Sequence, residues 1–428
     1  MPFLKRSVIS AVFALVPAIA VLWLPAGSSW AASTYYVSPS GNDANPGTQS
    51  APWRTIQRAA DLARAGDTVI VKPGSYVGAK FSRSGTASSP IRFRAEPGAV
   101  VTSPGPLNSN GDNLWVRNAN YVFLIGFEVH SAPRAGIGVQ GEPSAPAVGV
   151  VVRQCNCHDN GRWGIFTGYA QNFRAEKNVA SGSDIEHGIY VSNSADNPVI
   201  RGNVVRNNNA SGIQINADPV LAGDGIITGA LVERNIVSGN GVGGGAAINL
   251  ASVRNSTFRN NILYENHASG FAGWDDGAGS QWGTKNNRFY NNTVVQASDG
   301  RFAASLQNGS SGNVVKNNIL FHPGPRGTYD IDSSSRSGLV SDYNVVSNVF
   351  SVDETFINFA AWKRYGHDSH SLMVTSMSGF FVNASGGNYH LASGSPAINR
   401  GTTVPVPNDI DGQSRPRGSR YDIGSDEA

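Results

Sequence analysis

The chain has 428 residues, of which 40% are hydrophobic and 50 are Gly. This length and apolar content allow a substantial core in one long domain or two ordinary ones. Charged residues make up only 15% of the chain, which excludes a coiled coil or a long helical bundle, and the normal apolar content excludes intrinsic disorder. The net charge of +3 falls to about +1 without Lys5 and Arg6, so no global field attracts nucleic acid or an anionic membrane.

Residues 1–31 have the features of a secretory signal peptide. Lys5 and Arg6 form a positive start, residues 7–24 are apolar, and small residues close the run before cleavage after Ala31. An uncleaved anchor is the alternative, because the apolar run is roughly long enough to span a bilayer. We predict a secreted, monomeric protein, extracellular or associated with the cell surface, without stable membrane insertion after cleavage.

The next elements are a short strand and an amphipathic helix. Tyr35, Tyr36 and Val37 predict the strand. The helix is predicted from Thr55, as N-cap, to Gly66, as C-cap. Its apolar face contains four residues: Ile56, Ala59, Ala60 and Ala63.

From about residue 115 to 349 the chain repeats one pattern, in which a short apolar run ends in Asn and a second apolar strand follows a polar turn. The repeating Asn residues are at positions 156, 178, 203, 235, 260, 291 and 317. Their spacing of about 22 to 32 residues is typical of a solenoid. Asn tolerates the left-handed conformation of sharp turns, and stacked Asn side chains can hydrogen-bond from coil to coil.

The second strand of each repeat also aligns. Its central apolar residues form one column: Ile165, Ile189, Ile213, Ile248 and Phe271. Because side chains alternate along a strand, this column faces the core. The residues that follow it face outward: Phe166, Tyr190, Gln214, Asn249 and Ala272.

Short strands that cannot bury their own faces must stack on neighbouring coils, which predicts a single-stranded parallel β-helix. A β-propeller is the alternative, but its blades are longer and have four strands. Because the ends of a solenoid need covering, residues 32–114 are predicted to form the N-terminal cap with the first coils. Residues 350–428 lose the repeat and are predicted to form an irregular C-terminal cap.

The two cysteines, Cys155 and Cys157, are spaced as C-x-C. On a strand they would stand about 7 Å apart on one face, which is too far for an unstrained disulfide. Two cysteines alone cannot form a structural zinc site. We predict two small packed core residues.

The entry segment YYVSPSGNDANPGTQSAPWRTIQRAADLARAGDTVIVKPGSY and the ending NYHLASGSPAINRG…DIDGQSRPRGSRYDIGSDE resemble secreted right-handed parallel β-helix proteins, many of them carbohydrate-active. The resemblance is to polysaccharide-lyase-like members of the pectate lyase, chondroitinase B and alginate lyase type. It implies a right-handed helix, an extracellular polysaccharide as partner and, in several of these types, a calcium ion. This fold also carries hydrolases and epimerases, so the scaffold alone does not define the reaction.

The chain departs from these types at two positions. The stretch EHGIYVSNSADNPVIRGN is similar in layout to the lyase stretch that carries a catalytic Lys, but Ser194 stands at the Lys position. Asn216 stands where the catalytic Arg is expected. The Asp-Asp and Gly-His-Gly set of polygalacturonases and the Asp-Pro-His-Asp element of mannuronan epimerases are absent from the sequence.

We therefore consider other residues for catalysis. Elimination from a uronate needs a base at C5, an acid for the leaving oxygen and neutralisation of the carboxylate. His187 and Tyr190 are predicted as base and acid, with Glu186 orienting His187 and Arg201 or calcium neutralising the substrate. A solvated turn histidine is the alternative for His187.

Six residues are predicted to bind sugar through aromatic stacking and amide hydrogen bonds: Trp163, Phe166, Gln214, Asn216, Asn249 and Trp274. Asp218, Asp275 and Asp276 are predicted as calcium ligands, because carboxylates are the ligands that calcium prefers. Asp218 and Asp224 flank an insertion and could instead form a glycosidase acid/base pair, or a plain loop.

These observations favour β-elimination of a uronate-containing polysaccharide. A glycoside hydrolase on the same scaffold is the second enzymatic hypothesis. A non-catalytic surface or matrix protein that binds glycans through its aromatic face is the third. Nucleic-acid binding is disfavoured by the near-neutral charge.

Overall fold

The computed structural model describes Met1 and residues 31–428, so the interior of the predicted signal peptide lies outside the described residues. The described chain forms three 12-stranded sheets, here named A, B and C, in which successive strands come from successive coils. All pairings within these sheets are parallel except the last one of sheet C. The predicted parallel β-helix is confirmed. Within residues 31–428, no helix is both long and apolar enough to cross a bilayer.

Sheet A contains, in spatial order, Thr34–Val37, Thr68–Val71, Ile91–Ala95, Val122–Ile125, Val151–Arg153, Arg174–Glu176, Val199–Arg201, Leu231–Glu233, Thr257–Arg259, Arg288–Tyr290, Val314–Lys316 and Val340–Asp342. Sheet B contains Gly74–Val77, Ala99–Ser103, Glu128–His130, Asn156–His158, Val179–Ser181, Val204–Arg206, Ile236–Ser238, Ile262–Tyr264, Thr293–Val295, Ile319–Phe321, Val345–Val346 and Leu372–Met373. Sheet C contains Ala79–Phe81, Leu114–Arg117, Ala135–Gln140, Trp163–Gly168, Ile189–Ser192, Ile213–Asn216, Ala246–Ala251, Ser269–Trp274, Ala304–Leu306, Tyr329–Ile331, Val349–Val352 and the antiparallel Thr355–Asn358.

Smaller elements connect these strands. Three two-stranded pairs are Ala147–Val148 with Ala170–Gln171, Ile227–Thr228 with Val253–Arg254, and Phe381–Asn383 with Asn388–Leu391. The α-helices are Ile56–Leu62, Ser333–Arg336 and Phe359–Arg364, and the 3₁₀ helices are Ser280–Trp282 and Ala384–Gly386.

The N-terminal helix begins as predicted but ends early. The Thr55 side chain accepts a hydrogen bond from the Arg58 amide, as an N-cap does. The last helical residue is Leu62, four positions before the predicted end at Gly66. The Asp67 carboxylate accepts a hydrogen bond from the Arg64 amide and closes a turn there, and this local bond competes with a further helical turn.

The predicted core column is confirmed. Ile165, Ile189, Ile213, Ile248 and Phe271 lie opposite one another on successive strands of sheet C, and each is at most 2% exposed. A strand of three to six residues fits this architecture because every coil needs only one or two inward side chains per sheet. The core is therefore a stack of aliphatic and aromatic rows along the helix axis.

The predicted asparagine ladder is present, but its positions need a correction. Its members donate side-chain hydrogen bonds of 2.9–3.2 Å from coil to coil, and they are Asn178, Asn203, Asn235, Asn261, Asn292, Asn318 and Asn344. The predicted positions 260, 291 and 317 are instead left-handed turn residues, with φ of 53°, 53° and 58°. In each Asn-Asn pair the first residue therefore forms the left-handed turn and the second forms the ladder. At the N-terminal end of the ladder, the next position is occupied by Cys155 and not by Asn156, and the Cys155 amide donates to the Asn178 side chain.

The coils continue past residue 349. Val349–Val352 extends sheet C and Leu372–Met373 extends sheet B. The final segment then lies back along earlier coils, where the Asn317 side chain exchanges two hydrogen bonds with the Thr402 backbone and the Asn291 amide donates to the Asp422 carbonyl. The left-handed Asn residues thus hold the C-terminal segment against the helix.

Both cysteines are free and buried, which confirms the prediction that they are packed core residues. Burial raises the pKa of the Cys155 thiol to about 12. The thiolate is the reactive form of cysteine, so this thiol is inert at neutral pH.

Sheet A has a row of alternating charges on its outer face. Arg153, Glu176, Arg201, Glu233 and Arg259 lie opposite one another on five successive strands. Burial opposes ionisation of the two glutamates, but hydrogen bonds from arginines outweigh it and lower the pKa of both. The donors to Glu176 are Arg174, on the same strand, and Arg153, and the donors to Glu233 are Arg259 and Arg201. Opposite charges on neighbouring strands are favourable, so this row stabilises the stacking of the coils.

This row predicts an acid-sensitive contribution to stability. A carboxyl whose folded pKa is lowered stabilises the fold above its unfolded pKa of about 4.3, and this contribution is lost as pH falls through the lower folded pKa. We expect Glu233→Gln to lower the thermal midpoint at pH 7 and to differ less from wild type below about pH 4. Thermal denaturation of both proteins from pH 7 to pH 3 measures this difference. A constant difference across that range would contradict the ion-pair origin.

Candidate functional site

The predicted outward row lies on sheet C. Phe166, Tyr190, Gln214, Asn249 and Ala272 are register partners on five successive strands. Four spacings of 4.7–4.9 Å give the row a length of roughly 19 Å. Loops that follow the sheet C strands border it on one side, and loops that precede them border it on the other. We name this surface the groove; its length suits several rings of a linear polymer.

The aromatic end of the groove is more closed than predicted. Trp163 stacks on Phe166 with ring centres 4.3 Å apart, and the two side chains are only 5% and 7% exposed. The Arg134 guanidinium covers Phe166 at 4.5 Å and is held by the Asp112 carboxylate at 2.8 Å. These rings therefore present little face to a sugar, and they support their neighbour Tyr190, 5.5 Å from Phe166. The sequence reasoning missed Arg134 and Asp112, which precede the strands it aligned.

Glu186 is engaged in holding the wall of the groove. One of its oxygens accepts a hydrogen bond from the Trp163 indole nitrogen at 2.8 Å, and it forms an ion pair with Arg162. Its distance from the His187 Nε2 atom is 3.7 Å, which is longer than a hydrogen bond. Glu186 therefore positions Trp163 and Arg162 more directly than it orients His187.

His187 lies beside Tyr190, and its surroundings favour the neutral form of its ring. Its Nδ1 atom accepts a hydrogen bond from the Ser211 amide at 3.1 Å, which uses that lone pair. Burial lowers the pKa of His187 to about 4, against the opposing effect of Glu186. The ring is neutral at pH 7 and its proton is on Nε2. His187 is thus suited to donate a hydrogen bond, 5.1 Å from Tyr190 between ring centres.

Tyr190 keeps its proton at neutral pH. Burial raises the pKa of its hydroxyl above the ordinary value, and the negative charges of Asp218, Asp276 and Glu186 raise it further. The Asn216 side chain hydrogen-bonds the hydroxyl. A protonated phenol in the middle of the groove is a candidate acid.

Asp218 and Asp276 come together beside this hydroxyl. The Asn216 amide nitrogen donates to Asp276 at 3.1 Å, and the Asn216 amide oxygen accepts from the Asp218 backbone at 2.9 Å. Burial raises the pKa of Asp218 to about 6, and the charge of Asp276 contributes. A carboxylate with a pKa near the working pH is an effective base. Both aspartates have a left-handed backbone, with φ of 49° and 55°, and each lies two residues after the end of its strand.

Asp275 does not join this pair. Its oxygens accept hydrogen bonds from the amides of Gly277 and Gly279, each at 3.0 Å, and from the Asn308 side chain at 2.9 Å. Asp275 therefore braces the turn after Trp274. Calcium takes six to eight oxygen ligands, and of the three predicted carboxylate ligands, all within the described residues, Asp218 and Asp276 remain here. The residues present do not by themselves fit a resident calcium ion.

The far end of the groove is a polar pocket. Its lining includes Asn249, Trp274, Arg301, Ser305, Gln307 and Asn308. The Asn249 oxygen and the Trp274 indole nitrogen are buried without a hydrogen-bond partner within the described chain. Such atoms are costly unless they are satisfied, and sugar hydroxyls can satisfy both. Arg301 was missed because the alignment of strands stopped at Trp274, one coil too early.

Three other predicted residues are placed differently. Gln214 is 5% exposed, and its oxygen accepts from the Ser211 hydroxyl. Arg201 lies on sheet A, where it pairs with Glu233, so the structure separates it from His187 and Tyr190. The Arg201 strand comes after the turn that follows the Tyr190 strand, so it lies on a different side of the β-helix. Asp224 is exposed and bonds the Ile226 amide of its own turn at 3.0 Å, apart from the Asp218–Asp276 pair.

Known proteins resemble this chain in sequence over part of its length. Residues 35–185 match the family model described as Pel9A-like, right handed beta helix region. The pectate lyase PEL9 of Emericella nidulans is 34% identical over 118 residues, which cover 24% of this chain and 29% of that protein. The uncharacterized protein YwoF of Bacillus subtilis is 28% identical over 209 residues, 42% of this chain and 43% of that protein. The chain thus spans less than half the length of the curated relatives it matches.

Solved structures show the same fold over nearly the whole chain. The crystal structure of pectate lyase Pel9A has a TM-score of 0.66 at 17% identity and covers 92% of this chain and 96% of its own. A glycoside hydrolase has a TM-score of 0.56 at 10% identity and covers 79% and 99%. The chain is a right-handed parallel β-helix protein that resembles the polysaccharide-lyase type, on a fold that hydrolases share.

Proposed function

We propose that the protein is a secreted, monomeric enzyme that cleaves a uronate-containing polysaccharide by β-elimination in the sheet C groove. The observation that carries this proposal is the Tyr190 hydroxyl, which keeps its proton beside Asp218, whose pKa is about 6. The partial sequence match to a pectate lyase supports the same substrate class.

Asp218 and Tyr190 carry out the two proton transfers of this reaction. The Asp218 carboxylate removes the C5 proton, the electron pair forms the C4–C5 double bond, and the C4–O bond breaks. Tyr190 donates its proton to the departing oxygen. Transfer of the abstracted proton from Asp218 through solvent to the Tyr190 phenolate restores both groups.

The substrate carboxylate needs stabilisation while the C5 proton leaves. The Nε2–H of His187 donates a hydrogen bond at one side of Tyr190. Arg301 is exposed in the polar pocket at the far end of the groove and, within residues 31–428, forms no ion pair, so it is suited to bind the carboxylate of another ring of the polymer and not the reacting one. Preorganised donors of this kind stabilise developing negative charge without reorganisation. The reaction as drawn uses no metal.

Ultraviolet absorbance tests the reaction. The mature protein is incubated with polygalacturonate, alginate, glucuronan or a glycosaminoglycan, with calcium or with a chelator. We expect absorbance to rise with at least one polymer, because elimination creates a conjugated double bond. A flat trace with folded protein would overturn elimination, and activity that the chelator abolishes would restore the calcium prediction.

The carboxylate pair supports hydrolysis as a second candidate. Burial and the charge of Asp276 raise the pKa of Asp218 to about 6, and a carboxyl with a raised pKa is what a glycosidase uses as its general acid. The glycoside hydrolase of similar fold is compatible with this chemistry. New reducing ends without ultraviolet absorbance would establish hydrolysis. Retention on a polysaccharide without either product would favour a glycan-binding protein.

A further inference from the structure

A second polar pocket lies on the outer face of sheet A, not on sheet C. Its lining is Arg153, Gln154, Arg174, Glu176, Lys177 and Arg201. Four of these six residues are cationic, whereas the whole chain without its leader is nearly neutral. The pocket lining therefore has a local excess of positive charge, with four cations and one carboxylate.

The acidic residues of this face do not neutralise the basic ones. One oxygen of Glu176 accepts from Arg153 at 2.6 Å, and its other oxygen accepts from Arg174 at 2.5 Å. Glu233 likewise pairs with both Arg201 and Arg259. Each carboxylate thus serves two guanidinium groups and leaves one positive charge over.

Lys177 adds a further charge at the pocket edge. It is exposed, in a left-handed turn with φ of 55°, and no carboxylate of residues 31–428 pairs with it. The side chains of Arg153 and Arg174 are each 40% exposed and that of Arg201 is 37% exposed. Their N–H groups are therefore open to a ligand as well as to the glutamates.

The cations recur along the helix axis. Arg153, Arg201 and Arg259 occupy one register column, two strands apart in each case. Two strand spacings correspond to roughly 9.5 Å. A compact anion would meet only one of these positions, whereas a linear polyanion parallel to the axis meets them in succession. The accessible part of this column ends before Arg259, because the C-terminal segment lies against that residue and the Arg259 guanidinium donates to the Pro405 carbonyl.

We propose that this row, which we name the arginine row (Arg153, Arg174, Lys177 and Arg201), is a non-catalytic binding site for a linear polyuronate. Guanidinium groups bind carboxylates in a two-pronged geometry, and a polyuronate carries one carboxylate on every ring. The choice of polymer rests on the proposed function, whereas the anionic character of the ligand rests on sheet A alone. A second site holds the enzyme on its polymer between cleavage events and raises the effective concentration at the groove.

Binding of polygalacturonate and of alginate to a double variant, Arg174→Gln with Lys177→Gln, tests the site. Both side chains are partly or fully exposed, and Glu176 keeps its partner Arg153, so the fold remains intact. Measurements by calorimetry use the Asp218→Asn background, in which we expect cleavage to be slow, and the absence of ultraviolet absorbance during the titration checks that the polymer stays intact. We expect affinity for at least one polymer to fall about tenfold at low salt, with a weaker salt dependence than the parent.

Arg288→Gln is the matched control, because Arg288 is an exposed arginine of sheet A outside the row. We expect this control to bind within about twofold of the parent. Unchanged binding by the double variant, an equal loss in the control, or tighter binding of duplex DNA than of either polyuronate would overturn the proposal. The outcome of the ultraviolet assay is independent of this binding test. If the protein is inactive but the double variant loses affinity, only the proposed lyase activity is refuted. If the protein is active but the double variant binds as the parent does, only the proposed second binding site is refuted.

Discussion

Asp218→Asn is expected to lower kcat by about 10²–10⁴-fold, the usual loss when a general base is removed. Asparagine has nearly the same shape but cannot take up the C5 proton. The backbone bond from Asp218 to Asn216 remains, so the groove keeps its form. Initial rates of ultraviolet absorbance on the polymer that the wild type cleaves measure this loss.

Asp224→Asn is the matched control for this variant. Asp224 belongs to the same loop, is exposed, and accepts one hydrogen bond from its own turn, which asparagine also accepts. We expect its rate to stay within about twofold of wild type. A wild-type rate for Asp218→Asn, or an equal loss in both variants, would remove Asp218 from the mechanism.

The pH profile gives an independent check of the same assignment. Asp218 must be ionised to act as the base, and burial together with Asp276 raises its pKa to about 6. Wild-type kcat/KM should therefore fall about tenfold per pH unit below pH 6. His187, with a pKa lowered to about 4, would shift this acidic limb down by about two units if it were the base. The position of the limb thus distinguishes the two residues.

The fold was predictable because a solenoid repeats its constraints. Each coil presents the same alternation, so the core column from Ile165 to Phe271 and the outward row from Phe166 to Ala272 follow from sequence alone. The ladder was displaced by one residue because Asn-Asn pairs satisfy a turn and a stack at once. Because the two residues of each pair are both asparagine, the sequence does not distinguish the one with the left-handed backbone conformation from the one in the ladder.

The site was less predictable because it is formed where the repeat is broken. Asp218 and Asp276 follow strands on different coils, within loops of unequal length, so no fixed spacing brings them together. Asp275 and Asp276 look equivalent in sequence, yet one braces its own turn and the other faces Asn216. Arg201 appeared close to His187 along the chain, but it lies on another sheet because the chain turns from sheet C to sheet A between them.

A second asparagine ladder offers the clearest test of what holds the coils together. Asn208, Asn240 and Asn266 are at most 1% exposed, and each donates to the next at 2.9–3.0 Å. The Asn208 oxygen also accepts from the Ser183 amide at 3.1 Å. The side chains of Asn208 and Asn240 therefore satisfy buried backbone groups of the preceding coil and bond the asparagine side chain of the next coil, where water cannot replace them.

Asn208→Ala is expected to lower the free energy of unfolding by about 3 kcal/mol, because the buried Ser183 amide loses its acceptor and Asn240 loses a donor. Asn208→Asp, which keeps the shape but buries a charge, should cost at least as much. Asn207→Gly is the neighbouring control, since Asn207 is exposed with φ of 55°, a conformation that glycine adopts freely. Urea denaturation of the four proteins measures these differences. Equal stability of Asn208→Ala and Asn207→Gly would show that sheet pairing and the apolar core hold the coils without the ladder.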